Sequence, residues 1–206
     1  MSDTRTLLLS RHGETDWNAA GRWQGQTDIP LNAKGRAQAC ALAEPMRPLG
    51  VAAIASSDLS RARETAEIVA QALGLAVSSL EPDLREQRFG EFEGLTRAEC
   101  QTRFPDAWAR YVADLHATPP GGESRAALVA RVVPAIHSIA ERLASPVLVI
   151  MHGGAMRALF RDCADAIPDP ASAEWARHGI PNGGVFRVTI ASRRIVEAVR
   201  LETAPA

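Results

Sequence analysis

The chain of 206 residues has a net charge of −1, with 46% hydrophobic and 23% charged residues. This near-neutral balance argues against electrostatic capture of nucleic acid or of an anionic membrane surface. The three cysteines are widely separated and follow neither a zinc-binding nor a disulfide pattern. The apolar runs are too short for a signal peptide or a membrane span, so we expect a cytoplasmic protein. The sequence shows no internal repeat or break in composition, so we expect a single domain over residues 1–206.

Short apolar runs alternate along the chain with longer segments of helical periodicity. The predicted strands are Thr6–Ser10, Val51–Ala55, Leu75–Leu80, Val147–Met151, Val185–Ile190 and Arg194–Leu201. The predicted helices are Ala33–Leu49, Leu59–Leu73, Thr96–Phe104, Asp106–His116, Glu123–Leu143 and Gly154–Cys163. Strands that alternate with helices predict an α/β fold, with a largely parallel sheet and helices on both of its faces.

Local signals set the expected ends of the helices. Pro45 and Pro48 are predicted to close the first long helix. The pair Ser57-Asp58 is predicted to cap the next helix at its N-terminus, and Gly74 is predicted to end it. Residues 81–122 are charged and irregular, and we expect them to form an excursion over the edge of the sheet.

Basic side chains and glycines follow the predicted strands where those strands end. The first strand ends in Arg11 and His12, the second leads into Arg61, and the fourth ends in His152-Gly153-Gly154. Ligands of open parallel sheets bind beyond the carboxyl ends of the strands. If the first and fourth strands are parallel neighbours, both histidines face one crevice. Arginines near helix N-termini suit a phosphate or a carboxylate, so the pattern predicts an anion site.

Seven motifs occur in order along the chain. They are Arg11-His12-Gly13-Glu14-Thr15, Trp17-Asn18, GRWQGQTDIPLN (21–32), SSDLSRARETA (56–66), LREQRFGEFEG (84–94), PGGES (120–124) and MHGG (151–154). Together they resemble the histidine phosphatase superfamily, which is also called the phosphoglycerate mutase-like family. One motif such as RHG is weak, whereas the ordered set is specific. The resemblance implies a three-layer α/β/α sandwich with a mostly parallel central sheet, in which the excursion at about 81–122 covers the active site.

The resemblance also implies a role for each matching residue. His12 would be the nucleophile, since a neutral imidazole attacks phosphorus well at neutral pH. Glu86 would protonate the leaving group, and Arg11, Arg61 and His152 would bind phosphate. Further substrate- or phosphate-binding positions of the family match Asn18, Gln24, Gly25 and Gly153. No cofactor or metal is implied, because the arginines and a cationic His152 would supply the charge that Mg²⁺ supplies elsewhere.

The acid is assigned by its position in the motif. LREQRFGEFEG also contains Glu91 and Glu93, and most carboxylates in such a charged run are solvated, but the family pattern selects Glu86. The remaining histidines are assigned to the fold or the surface, and the tryptophans to packing or pocket walls: His116, His137 and His178, and Trp17, Trp23, Trp108 and Trp175.

The function implied is a metal-independent phosphomonoester hydrolase that acts on a small phosphorylated metabolite through a phosphohistidine. The alternatives are a 2,3-bisphosphoglycerate-dependent phosphoglycerate mutase, the α-ribazole phosphate phosphatase of cobalamin synthesis, and a non-catalytic phosphate-binding regulator. The regulator is disfavoured because the nucleophile and both arginines are present. We expect a monomer or a homodimer that binds neither nucleic acid nor membrane.

Two departures from the family pattern disfavour the mutase. The stretch EQRFGEFEG replaces the ERHYG-type motif of true mutases, and the excursion is short and lacks an adjacent arginine pair. A mutase needs fixed cations for a second phosphate. The excursion offers only scattered arginines for that purpose, namely Arg88, Arg97, Arg103 and Arg110.

Overall fold

The computed structural model describes residues 4–114, 116–163 and 180–201. The strands in these ranges are β1 (Arg5–Arg11), β2 (Ala53–Ser56), β3 (Val77–Leu80), β4 (Val147–Met151), β5 (Val185–Ala191) and β6 (Arg194–Leu201). The helices are α1 (Asp16–Ala19), α2 (Ala33–Met46), α3 (Ser60–Leu73), α4 (Arg97–Arg103), α5 (Pro105–Ala113), α6 (Arg125–Arg142) and α7 (Gly153–Asp162). Every strand and helix predicted from the sequence is present, with shifts of a few residues at the ends.

The six strands form one sheet in the order β3-β2-β4-β1-β5-β6. The first four strands in this order are parallel, whereas β5 pairs antiparallel to β1 and β6 antiparallel to β5. The predicted largely parallel sheet is therefore confirmed. The crossover helices that parallel strands require lie on its two faces.

Alternation along the strands divides the apolar core between the two faces of the sheet. In β1, Leu7 and Leu9 pack with α6 and α7, whereas Leu8 packs with α2 and α3. All three side chains are buried, as expected where a parallel sheet is covered on both faces. This arrangement is the predicted three-layer α/β/α sandwich.

Two predicted helix ends are wrong. Helix α2 continues through Pro45 to Met46, and only the following 3₁₀ turn, Arg47–Leu49, contains Pro48. A proline removes one helical hydrogen bond, but Leu42 and Met46 on either side of Pro45 are buried in the core, and their packing keeps this turn helical.

The predicted N-cap of the second long helix is also wrong, because the residues have other partners. The cap of α3 is Leu59, which makes no side-chain capping bond. The hydroxyl of Ser57 contacts His152 instead, and the carboxylate of Asp58 accepts hydrogen bonds from Arg85. At the other end, Gly74 adopts a left-handed conformation with φ 72°, as predicted for a residue that ends a helix.

The excursion (residues 81–122) has a small core of its own. Phe89, Phe92, Cys100 and Tyr111 are buried together, and Trp23 and Trp108 pack against them. The rings meet mainly edge to face, for example Trp23 on Phe89 with centroids 4.6 Å apart. Edge-to-face contacts between rings stabilise such a cluster beyond simple burial. Helices α4 and α5 are thereby fixed to the loop that carries Trp23.

Within the described ranges, no helix has the length and apolar character needed to cross a membrane. Trp175 and His178, which were assigned to packing and to the surface, lie outside the described residues.

Candidate active site

The two histidine motifs meet because β1 and β4 are parallel neighbours. Arg11 at the end of β1 pairs in register with Met151 at the end of β4. The next residue on each strand is a histidine, and the ring centroids of His12 and His152 are 5.1 Å apart. The sequence predicts that both histidines face one crevice; they do meet at one edge of the sheet, but of the two only His12 lines the pocket at that edge.

A pocket of about 360 Å³ opens at this edge. Eight of the nine predicted site residues line it: Arg11, His12, Asn18, Gln24, Gly25, Arg61, Glu86 and Gly153. His152 is fully buried beneath the pocket and is not part of its lining. Trp23, which the sequence assigns to packing or a pocket wall, also lines the pocket. So do side chains that were not predicted to belong to the site, among them Arg22, Phe89, Arg97 and Arg157.

His12 is held in one tautomer. Its Nδ1 lies 2.6 Å from the carbonyl oxygen of Gly13, so Nδ1 carries the proton and Nε2 keeps its lone pair. Burial lowers the pKa of His12 well below 6.5, and the charges of Arg61 and Arg11 lower it further. The imidazole is therefore neutral at physiological pH. Backbone atoms fix its position, since its N–H donates to Met151 and its carbonyl oxygen accepts from Asn182.

His152 is also neutral, contrary to the sequence-based expectation of a cation. Burial lowers its pKa well below 6.5, and the neighbouring charge of Arg61 adds to this effect. Its Nε2 lies 2.9 Å from the hydroxyl of Ser57, whereas its buried Nδ1 has no partner among the described residues. The positive charge of the site therefore comes from its arginines.

Arg11 and Arg61 are anchored by backbone carbonyl groups. Arg11 donates to the carbonyl of Ile180 at 2.6 Å, and Arg61 donates to those of Gly25 and Thr27 at 2.7 and 2.9 Å. Burial lowers the pKa of each guanidinium from 12.5 to about 10, so both remain charged at neutral pH. The Nε–H of each is buried without a partner in the described part of the chain. These two guanidinium groups, of which Arg61 is buried and Arg11 half-buried, have the charge and the unused donors that suit an anion.

The loop that carries Gln24 and Gly25 is held by Glu93. The carboxylate of Glu93 accepts backbone N–H bonds from Gln26, Thr27 and Phe89. Gly25 has φ 55°, and a Cβ there would lie 2.0 Å from the Glu93 carboxylate, so only glycine fits. Gly25 therefore serves the site through its backbone, because its carbonyl oxygen orients Arg61.

Glu86 is the one carboxylate of its motif that reaches the pocket. Its two oxygens accept from the backbone N–H groups of Gly154 and Gln87, each at 2.8 Å. A Cβ at position 154 would lie 2.3 Å from this carboxylate, so the second glycine of the HGG motif makes room for the acid. Glu91 is exposed, and the carboxylate of Glu93 is occupied by the loop contacts described above.

The segment that carries Glu86 is clamped by Arg131 of α6. Arg131 forms a two-pronged ion pair with Glu123, with both N–O distances 2.8 Å. It also donates to three carbonyl oxygens, those of Asp83, Arg85 and Glu86, at 2.8 to 2.9 Å. Fork geometry of this kind is specific to arginine. The clamp fixes the backbone of the acid to the body of the fold.

Asn18 and Gln24 complete the polar lining. The Asn18 side-chain oxygen accepts from the backbone of Thr15 and from the amide of Asn182. The Asn18 amide nitrogen makes no hydrogen bond to a described residue, and Asn18 lines the pocket. Gln24 is buried, and its side-chain oxygen has no partner among the described residues.

A family model described as the histidine phosphatase superfamily (branch 1) matches residues 7–201. The chain belongs to this superfamily. A metal-independent phosphoserine phosphatase of Arabidopsis thaliana is 39% identical over 167 residues, which cover 77% of this chain and 68% of the relative. A probable phosphoglycerate mutase, GpmB, of Salmonella newport is 42% identical over 192 residues, which cover 84% and 88%.

Solved structures of the superfamily share the whole fold. A mycobacterial glucosyl-3-phosphoglycerate phosphatase in complex with VO3 superposes with a TM-score of 0.80 and 32% identity, covering 98% of this chain and all of that one. An α-ribazole phosphatase from Shigella flexneri superposes with a TM-score of 0.78 and 27% identity, covering 97% and 96%.

Several site residues of this histidine phosphatase were missed by sequence reasoning. Ser57 was interpreted as a helix cap, and Arg131, Arg157 and Asn182 lie outside the motifs that were used. Only Arg157 had a readable signal. It is four residues after Gly153, so a helix that begins at the HGG motif places it on the same face as that glycine.

Proposed function

We propose that this chain is a metal-independent phosphomonoesterase that transfers the phosphoryl group of a small phosphorylated substrate to His12 and then to water. The observation that carries the proposal is a neutral imidazole with a fixed tautomer, beside the half-buried Arg11 and the buried Arg61, which lack carboxylate partners among the described residues. The superfamily membership and the phosphatases among the relatives support it.

The arginines bind the substrate phosphate in this mechanism. Arg11 and Arg61 carry two positive charges, which match a phosphate dianion, and their backbone bonds hold them in place before the substrate arrives. Donors fixed in advance stabilise charge on phosphorus without reorganisation. The amide of Asn18 and the N-terminus of α7 at Gly153 supply further donors at the same pocket.

In the first step, Nε2 of His12 attacks phosphorus in line with the ester oxygen. The N–P bond forms as the P–O bond to the leaving group breaks, and the protonated Glu86 gives its proton to the departing oxygen. The proton stays on Nδ1 and remains hydrogen-bonded to the carbonyl oxygen of Gly13, which stabilises the positive charge that develops on the ring. The ring of His152 lies next to that of His12 and stays neutral during this step.

In the second step, a water molecule attacks the phosphohistidine. Glu86, now a carboxylate, takes the proton of this water as the O–P bond forms and the N–P bond breaks. Inorganic phosphate leaves, and both His12 and Glu86 return to their starting protonation states. The balance of charge and protons requires no metal ion, because the arginines neutralise the phosphoryl oxygens.

Trapping of the intermediate tests the proposal directly. Rapid acid-free quenching with ³²P-labelled substrate, followed by peptide mapping, is expected to place an acid-labile, alkali-stable phosphoryl group on His12. Turnover is expected to survive exhaustive chelation and to be inhibited by vanadate, which mimics five-coordinate phosphorus. Activity that is lost in chelator and restored by Mg²⁺, or a labelled residue other than His12, would refute the mechanism.

A second candidate is phosphoglycerate mutase activity. The mutase name of the Salmonella relative and the extra arginines of the pocket, Arg97 and Arg157, favour it. A coupled assay of 3- to 2-phosphoglycerate conversion, run beside phosphate release on one preparation, separates the two. We expect steady phosphate release and no marked stimulation by 2,3-bisphosphoglycerate. Stimulated isomerisation much faster than phosphate release would make this protein a mutase.

A further inference from the structure

The pocket holds more positive charge than a phosphate requires. Five arginines line it, namely Arg11, Arg22, Arg61, Arg97 and Arg157, against the single carboxylate of Glu86. Arg11 and Arg61 are assigned to the phosphate, and Arg22 is paired with Glu99 at 2.8 Å. Arg97 and Arg157 have neither an ion pair nor a side-chain hydrogen bond to any described residue. Among the described residues, the pocket therefore has two cations without a partner beyond the phosphate site.

Of these two arginines, Arg157 is the better placed. It is half-buried, whereas Arg97 is exposed at the mouth. An exposed cation gains little from an ion pair because water screens it. A half-buried guanidinium without an anionic partner gains much more when an anion binds.

The position of Arg157 on α7 points it at the leaving group. It lies three residues after Gly154 and four after Gly153, on the same face of the helix. Helical side chains lean toward the N-terminus, which is the end of α7 that meets the pocket. The backbone N–H of Gly154 holds the carboxylate of Glu86, and Glu86 marks where the leaving oxygen departs.

Electrostatics agree with this placement. The charge of Arg157 lowers the pKa of Arg11, in addition to the larger effect of burial. Two like charges that are close enough to interact favour the binding of an anion between or beside them. The substrate phosphate accounts for Arg11, and Arg157 remains for another group of the same substrate.

We propose that Arg157 binds a carboxylate on the leaving group of the substrate, so that this phosphatase prefers phosphorylated hydroxy or amino acids over their uncharged analogues. The inference rests on the proposed function and adds the class of substrate. One half-buried guanidinium fork matches one carboxylate in charge and in shape. A second phosphate dianion would need a second buried cation, and Arg97 is too exposed to serve as one.

A matched pair of substrates tests the inference. 3-Phosphoglycerate and glycerol 3-phosphate differ in a carboxylate against a hydroxymethyl group, as do phosphoserine and phosphoethanolamine in a carboxylate against hydrogen. We expect wild type to have the higher kcat/KM for the carboxylated member of each pair. Arg157→Met should reduce that preference by about 10- to 100-fold, the range for a hydrogen bond to a charged group.

Two further variants control for charge and folding. Arg110→Met removes the same charge from an exposed position on α5 that does not line the pocket, and it should leave the preference unchanged. Arg157→Lys keeps the charge without the fork and should lose less of the preference than Arg157→Met. Circular dichroism of each variant shows whether it is folded.

The outcomes separate the inference from the proposed function. If wild type hydrolyses both members of each pair equally, or if Arg157→Met leaves the preference intact, the carboxylate site is wrong while the phosphatase stands. Arg157→Met could instead leave the carboxylate preference intact and reduce only the preference in kcat/KM for a bisphosphate, such as fructose 1,6-bisphosphate, over fructose 6-phosphate. The second anion would then be a phosphate, and the inference would again be wrong.

A binding measurement tests the carboxylate site even if the protein does not hydrolyse these substrates. Calorimetry with His12→Ala measures the affinities for 3-phosphoglycerate and glycerol 3-phosphate without hydrolysis. Tighter binding of 3-phosphoglycerate that disappears in the His12→Ala, Arg157→Met double variant supports the carboxylate site even if the proposed hydrolysis fails. Equal affinities overturn it.

Discussion

The two sides of the pocket are built from different parts of the fold. On the phosphate side, His12 and Arg11 come from the end of β1 and Arg61 from the first turn of α3, and backbone atoms hold all three. On the leaving-group side, Glu86, Phe89 and Arg97 come from the excursion. The groups assigned to the phosphate thus lie at the end of a strand and in the first turn of a helix beside the sheet. Most groups that meet the variable half of a substrate lie on loops and short helices, and Arg157 of α7 is the exception.

This difference predicts how the activity of a variant depends on the substrate. A change on the phosphate side acts on the group that all substrates share, so it should affect all of them alike. A change on the leaving-group side should depend on what leaves. An alkyl alcohol needs a proton to depart, whereas a p-nitrophenolate leaves without one.

The largest expected effect is that of His12→Ala. Without the nucleophile, kcat should fall about 1000-fold or more for both an alkyl phosphate and p-nitrophenyl phosphate. Steady-state phosphate release measures both rates. His116→Ala, at an exposed position outside the pocket, is the control and should retain full activity. A loss confined to one of the two substrates would show that His12 does not act on the shared phosphate.

The next largest effect is that of Glu86→Gln. The amide keeps the shape of the side chain but has no acidic proton to donate, so the alkyl phosphate should lose about 100- to 1000-fold in kcat/KM, which reports the step in which the leaving group departs. The aryl phosphate should lose less than about 10-fold in kcat/KM, because hydrolysis of the phosphohistidine, in which Glu86 acts as the base for both substrates, does not enter that quantity. Glu91→Gln, at an exposed position in the same motif, should match wild type. Equal losses on both substrates would contradict the assignment of Glu86 as the acid.

A smaller effect of the same kind is expected from Arg131→Met. Arg131 touches no substrate, but it fixes the backbone of Glu86 through three carbonyl groups and the pair with Glu123. A displaced acid should reduce kcat/KM for the alkyl phosphate about 10- to 100-fold and leave kcat/KM for the aryl phosphate nearly intact. A purely structural role would lower both rates together.

Two control variants separate the effect on Glu86 from a general loss of folding. Arg142→Met removes an arginine from the same helix, where it pairs with Glu81 at the surface, and should change neither rate. Arg131→Lys retains the charge beside Glu123 and should recover part of the alkyl activity. Urea unfolding of each variant identifies any loss of stability, which a broken half-buried ion pair can cause.

The phosphate side was readable from the sequence because its geometry follows from the strands. Two apolar runs that end in Arg11-His12 and His152 must meet once the strands pair in parallel, and no other packing detail is required. The leaving-group side was readable only through the family pattern at Glu86. Its supports, Arg131 and Arg157, lie on helices whose contacts depend on how the excursion packs.

Local rules failed where a site contact outweighed them. Ser57 and Asp58 carry a good capping signal, but His152 and Arg85 are their partners in the fold. The charge of His152 was also misjudged, because its pKa depends on burial and on Arg61, which is close in space but distant in the sequence, and neither is visible in the motif. Residues 81–122 as a cover over the site, and the state of assembly, stay predictions.

The smallest expected effect lies in the pH dependence of stability. His12 and His152 are buried with lowered pKa values, chiefly because of burial, whereas each titrates near 6.5 in an unfolded chain. Below pH 6.5 the unfolded state therefore binds protons that the folded state does not, and the free energy of unfolding falls as pH decreases. Between pH 7 and 6 the two histidines should remove about 1.4 kcal/mol, or about tenfold in the folding equilibrium.

Urea unfolding at pH 7.5, 7.0, 6.5, 6.0 and 5.5 measures this slope. Glu14, Glu99 and Glu141 do not interfere in this range, because their lowered pKa values lie below 4.5 and their contribution is lost only at lower pH. His12→Gln should remove about half of the slope, because glutamine does not titrate, while the contribution of His152 remains. His137, whose pKa is lowered by partial burial, adds a smaller effect to wild type and variant alike. A free energy of unfolding that stays constant from pH 7.5 to 5.5 would show that His12 and His152 bind protons in the folded state as they do in the unfolded chain. His12 would then be a cation below about pH 6.5 and could not act as a nucleophile there.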